Sequence, residues 1–190
     1  CVGPFPVTVL DRSRLAAGLS RLRGQDPERA SAVERRAAGV VERLRSGFPG
    51  DDRSGELSED DETVERFLEL HAAVPCPVLD PTTGTCDLYE DRPVSCRTFG
   101  PPVRLAGEPL PPCRLCFVGA PAAEVEACRV EIDPDGLEDR LIAALSAGEA
   151  GRDRECPIAW AVAPLGGRAL PRYDGKVRDC YVDRERGERR

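Results

Sequence analysis

The amino-acid pattern points to a mainly α fold with little β structure, in which helices wrap around an irregular, cysteine-rich segment that binds metal. Two observations carry this expectation. Apolar residues recur three and four positions apart in several segments that open on cap-forming residues. Between those segments, residues 76–99 hold Cys76, Cys86 and Cys96 at equal intervals among turn-forming Pro, Asp, Thr and Gly.

A chain of 190 residues fits one domain, and a domain of that size buries about 70% of its extended surface. Residues 1–182 are assigned to a single cysteine-cluster domain. Residues 183–190 contain no apolar side chain and are expected to form a charged, disordered tail. Aromatic residues make up 5% of the chain and Met is absent, so the core is built from Leu, Val and Ala, and a bound metal is a useful second nucleus. The net charge of −7 disfavours a nucleic-acid partner, because no broad basic face is on offer. No apolar run reaches the about 18 residues needed to cross a membrane, and no signal-like segment stands out, which favours a cytoplasmic location.

The elements follow in order. Residues 1–10 are Pro- and Val-rich, and extended backbone there delivers Cys1 toward the cysteine-rich segment. Asp11 caps a helix over residues 11–23 with Leu15, Leu19 and Leu22 on one face. Asp26-Pro27-Glu28 restarts the chain as a second helix to about residue 46, since a cap, a first-turn proline and an acidic residue all suit a helix start. Residues 47–57 read as a mobile acidic loop. Ser58 with Asp61 forms a capping box for a third helix, stopped by Pro75. Further helices are expected around Cys128 and over residues 137–147, while Trp160 closes the core.

Thiolates in turn-rich backbone suit a shared inorganic centre. Sulfur donors select zinc or an iron–sulfur cluster. Cys76, Cys86 and Cys96 supply three ligands; Cys1 is the first choice for a fourth, and Cys113 or Cys116 is the substitute or the start of a second site. The Cys113-x-x-Cys116 pair also fits a redox dithiol, but no strand–helix–strand unit accompanies it. Arg92 and Arg97 flank Cys96, and either can donate to sulfur and tune the centre; the competing reading pairs Arg92 with Glu90 or Asp91. His71, the only histidine, is not assigned as a ligand. An odd total of nine cysteines rules out complete pairing within the chain.

The run Cys76-Pro-x-Leu-Asp, followed by Gly84-x-Cys-x-Leu-Tyr-Glu-x-Arg-Pro-x-x-Cys-Arg-x-Phe99, resembles the YkgJ-type cysteine-cluster proteins. These are described as zinc- or iron-chelating or iron–sulfur-cluster proteins. Cys1-Val-Gly-Pro-Phe-Pro resembles the end of that family's N-terminal cysteine run, whose further cysteines are absent here. The resemblance implies a cysteine-held metal, tips the choice toward an iron–sulfur cluster over zinc, and names no reaction.

Three functions compete. The first is a metal-binding protein holding an iron–sulfur cluster or zinc. The second is an enzyme or modification factor in which the cluster acts on a partner protein or peptide. The third is a disulfide-stabilised lipoprotein anchored through Cys1, since the chain begins at a cysteine, as mature lipoproteins do. No acid–base pair, phosphate loop or nucleophile motif stands out, and the lone Gly166-Gly167 pair matches no nucleotide fingerprint.

Overall fold

The computed structural model describes residues 1–105, 107–113, 115–146 and 154–164. The expected charged tail, Cys180 and the Gly166-Gly167 pair lie outside the described residues. The fold is mainly α, with small sheets. Helices α1 (Val9–Gln25), α2 (Pro27–Arg45) and α7 (Ile158–Val162) pack on one another and form the core, and α6 (Leu137–Ser146) lies against α1.

Helix α2 forms where the restart signal places it: Asp26 caps it by accepting from the Arg29 amide at 3.0 Å, and Pro27 occupies the first turn. Its buried stripe, Ala30, Val33, Ala37, Val40, Val41 and Leu44, follows the helical period. Helix α7 has no polar face at all. Its five residues are buried, which suits a short helix enclosed on every side. It enters from strand β7 (Cys156–Pro157), paired antiparallel with β1 (Pro6–Val7), and Ile158 donates to the Phe5 carbonyl at 2.9 Å. The first residues of the chain are thereby fixed to the core.

Two helix starts differ from expectation. Helix α1 is capped by Thr8, whose hydroxyl accepts from the Asp11 amide; Asp11 itself is buried and faces another segment. Helix α3 (Asp61–Leu70) is capped by Asp60, not Ser58, and ends at Leu70, ahead of Pro75. Ser58 and Asp60 are both cap-forming residues: the Ser58 hydroxyl accepts from the Asp60 amide while Asp60 takes the helix amide of Thr63, and spacing alone does not choose between them.

The expected mobile acidic loop is instead ordered. Strands β2 (Gly50–Asp51) and β3 (Glu56–Leu57) pair, Glu56 and Leu57 are buried, and the Trp160 indole donates to the Asp52 carbonyl at 3.0 Å. Gly55, with φ +77°, sits against the Trp160 ring, and a Cβ there would lie 2.3 Å from Cγ of Trp160. Phe48 stacks on the same indole at 4.6 Å between centroids, so the loop caps the core aromatic. Its many charges hid this, because the anchoring residue is far away in sequence.

A three-stranded sheet was also not foreseen, and it corrects the reading that no strand–helix–strand unit accompanies Cys113 and Cys116, because both lie in the crossover from β4 through α5 to β6. Strands β4 (Val103–Leu105), β5 (Glu108–Leu110) and β6 (Val130–Ile132) lie in the order β5-β4-β6, with β4 and β6 parallel around the short helix α5 (Ala122–Ala127). Each strand spans three residues, too short to display a period, and Pro109 is tolerated because β5 is an edge.

Candidate metal centre

Three pieces of backbone meet at the site. The start of the chain runs antiparallel to residues 74–76: Gly3 donates to the Val74 carbonyl at 2.6 Å, and the Cys76 amide donates to the Cys1 carbonyl at 3.0 Å. This pairing places Cys1 beside Cys76. Residues 78–87 then double back. Asp80 donates to the Thr85 carbonyl at 2.9 Å and Asp87 to that of Val78 at 2.8 Å, bringing Cys86 opposite Leu79. The Asp80 carboxylate fastens the tip, accepting from the Thr82 amide and the Thr83 hydroxyl, and these donors hold its carboxyl below the usual range. Finally, Cys96 rides on helix α4 (Val94–Thr98), whose first amide donates to buried Asp11 at 3.2 Å. Burial raises the Asp11 carboxyl, while that amide, Arg14 and Arg97 oppose the rise.

Cys1, Cys76, Cys86 and Cys96 all line one cavity of about 500 Å3, walled by apolar residues including Phe5, Leu15, Val78 and Ile158. They share an electrostatic neighbourhood. Burial, joined by the Cys86 and Cys96 sulfurs, pushes the Cys76 thiol up to about 11. Burial likewise raises Cys86 and Cys96, with Cys96 also sensing Cys86, Asp11 and the amino terminus. Against this, the Val78 and Leu79 amides point at the Cys76 sulfur and the Leu88 amide at the Cys86 sulfur, favouring thiolates. Among the described residues, no three His, Cys, Asp or Glu side chains lie close enough together to hold a metal ion.

A buried ion cluster fixes the cysteine-bearing turn to α2. Asp87, with a side chain 1% exposed, pairs with both Arg29 and Arg36, and Arg36 also donates to the Pro77 carbonyl at 2.8 Å. Next along the chain, the turn Tyr89–Asp91 docks on α1, where Gly18 leaves room: a Cβ there would lie 2.4 Å from Asp91 Oδ2. Arg21 pairs with Asp91, and Arg14 donates to the Glu90 carbonyl at 3.2 Å.

The two flanking arginines divide their tasks. Arg92 lines the cavity and favours the Cys86 thiolate; its guanidinium lies 3.8 Å from the Tyr89 ring centroid, and Nε donates to the Tyr89 carbonyl at 3.1 Å. It therefore caps the turn through the Tyr89 carbonyl, while Asp91 goes to Arg21. Arg97 donates to the Arg92 and Glu90 carbonyls and tightens the same turn without lining the cavity.

Other sequence-selected residues lie elsewhere. Cys113 lines a neighbouring cavity that shares Ser95 and Phe99 with the first, and Cys116 packs by Gly100. Cys128 ends α5 and is exposed. His71 ends α3 with its ring 4.7 Å from that of Phe67, and its Nε2 is buried without a hydrogen-bond partner. All eight described cysteines are free thiols. Sequence reasoning missed Asp11 as the anchor of α4 and Asp87 as the anchor of the cysteine turn. The only available signals were unpaired carboxylates among many.

Cys156, on β7, belongs to the core, and burial pushes its thiol up to about 12 with Arg12 opposing. In an unfolded chain a thiol ionises at about 8.5. The folded state keeps the proton over that window while the unfolded state releases it. Its contribution to stability is therefore complete below about pH 8.5 and falls toward the folded value of about 12, by roughly 1.4 kcal/mol per pH unit. Urea denaturation across this range should show Cys156→Ala losing stability less steeply than the parent. Equal slopes would reject the assignment.

No protein-family model, no curated protein and no solved structure matches this chain. Among the described residues no helix is long and apolar enough to cross a membrane.

Proposed function

We propose that this is a metal-binding protein of the YkgJ-like cysteine-cluster type. It would be cytoplasmic, holding an iron–sulfur cluster, or alternatively zinc, through Cys1, Cys76, Cys86 and Cys96, with helices wrapped around the cysteine-bearing segment. The single observation that carries this reading is the convergence of these four thiols on one cavity. They reach it from the chain start, a doubled-back turn and a short helix. The donor set fits in kind, since sulfur ligands and amides aimed at sulfur are what thiolate-held centres use.

Binding has to draw the sulfurs inward and release their protons, which makes affinity fall as pH falls. A bound cluster supplies electron transfer or an open iron position; bound zinc supplies structural closure. The chain's own residues contribute the rest. Val78, Leu79 and Leu88 amides and the Arg92 guanidinium offset negative charge at sulfur, and the apolar walls limit water.

The cavity volume favours a second reading, an enzyme or modification factor acting on a partner peptide or protein. About 500 Å3 exceeds what a single ion needs and lies within the range of ligand pockets, roughly 300–1,000 Å3. No observation supports the disulfide-stabilised lipoprotein.

The test is the ultraviolet–visible spectrum of anaerobically purified protein with elemental analysis. Broad absorption near about 400 nm with iron and sulfide is expected for a cluster. Zinc without colour would select the alternative metal. Protein that is free of both, and that takes up neither on reconstitution, would remove the proposal.

A further inference from the structure

We infer that the cavity behind α4 is a binding site for a small organic cation, an ammonium or guanidinium group carried on an apolar body. The inference is independent of the metal reading. This cavity, about 620 Å3, is bounded by the start of α1, α4, the β4–β5 hairpin and α6, and its size falls within the small-molecule range of roughly 300–1,000 Å3.

Its walls are apolar: Val94, Phe99, Val103, Leu105, Leu110 and Ile132, with prolines between them. Leu105 and Leu110 are 47% and 43% exposed and form a greasy rim. The charged groups that line it are the carboxylates of Asp11, Glu138 and Glu155; no Arg, Lys or His does so among the described residues. Most of the polar lining is already engaged. Thr8 accepts from the Asp11 amide, Thr98 donates to the Val94 carbonyl, and Asp11 holds the Val94 amide with Arg14 and Arg97 nearby.

Glu138 is different. Its amide donates to Asp133, but its half-buried carboxylate has no hydrogen bond or ion pair among the described residues. The charges that reach it, Asp11, Asp133 and Asp139, are all negative, and together with burial they raise its carboxyl. A carboxylate with no cation beside it among the described residues, at the wall of an apolar cavity, is an arrangement that a cationic head relieves while its body fills the greasy space. An anion would face three lining carboxylates, and a neutral apolar molecule would bring Glu138 no opposite charge.

The full chain is titrated with hexylamine, hexanol and hexanoate, which share an alkyl body, and methyl NMR shifts are followed. Shifts should centre on Val103, Leu105, Leu110 and Ile132. Hexylamine should bind at least about fivefold more tightly than hexanol, the size of a partly exposed ion pair, and hexanoate most weakly. Glu138→Gln should bring the amine and alcohol affinities together while leaving the alcohol unchanged. Leu110→Lys, on the exposed edge strand, should weaken hexylamine by a similar factor and guards against loss of fold in the first variant. Shifts elsewhere, no shifts, hexanoate binding as tightly as hexylamine, or an amine preference that survives Glu138→Gln would each overturn the site.

Discussion

Cys86→Ser is expected to abolish metal retention and, with it, the stabilisation that the metal gives the folded chain. Serine preserves the shape of the side chain but replaces a thiolate donor with a hydroxyl that stays protonated near neutral pH. A ligand that binds only the native state stabilises it by about 4 kcal/mol when free ligand is about a thousandfold above Kd. Removing one of four candidate sulfurs should remove most of that margin. Because Cys86 is only half-buried, the metal-free forms of parent and variant should differ little, by about 1 kcal/mol or less. The effect must therefore appear in the metal-loaded comparison. Cys128→Ser removes an exposed thiol outside the cavity and should keep metal. Cys113→Ser should keep it too, because Cys113 faces the neighbouring cavity, whereas Cys1 lines the same one as Cys86. Measurement is by metal content per chain and by urea denaturation with and without chelator. Unchanged metal content in Cys86→Ser would defeat the assignment, and loss in Cys113→Ser with retention in a Cys1 variant would move the fourth ligand.

Arg36→Leu should cost about 3 kcal/mol of folding stability without any change of metal. Asp87 is buried between two guanidinium groups, and stripping a buried charge of a partner typically costs about 3–5 kcal/mol. Arg29 remains and is itself partly hydrated, which places the expectation at the lower end. The Pro77 carbonyl loses a donor in the same step. Arg29 and Arg36 lie two turns apart on α2, so they grip Asp87 from one helix face and hold the Cys76–Cys86 turn in register with the core. A double-mutant cycle with Asp87→Asn separates this coupling from lost packing. If the cluster acts as described, Asp87→Asn and Arg36→Leu together should cost clearly less than the sum of each alone; strict additivity would show that the pairing carries no energy.

The helices were legible because their signals are local. Asp26-Pro27-Glu28 gives α2 a cap, a fixed φ and a favourable charge within one turn, so its start could be placed closely. The same local logic erred by two or three residues at Thr8 and Asp60, where several residues in a row can cap. What could not be read was any element defined by a distant partner. The 50–57 hairpin looks like solvated loop until Trp160 donates to it, and β4 to β6 are too short to announce themselves.

Sequence by itself determined a mainly helical chain interrupted by a turn-rich stretch carrying regularly spaced thiols, since period, caps and turn residues act over a few positions. Only the tertiary structure decided which sulfurs share a cavity, seating Cys1 with Cys76, Cys86 and Cys96 and setting Cys113 apart. The physical reason is that those neighbours are chosen by long-range backbone pairing at residues 1–3 and 74–76, and by the Asp11 and Asp87 anchors on α1 and α2. None of these contacts leaves a periodic trace in the chain.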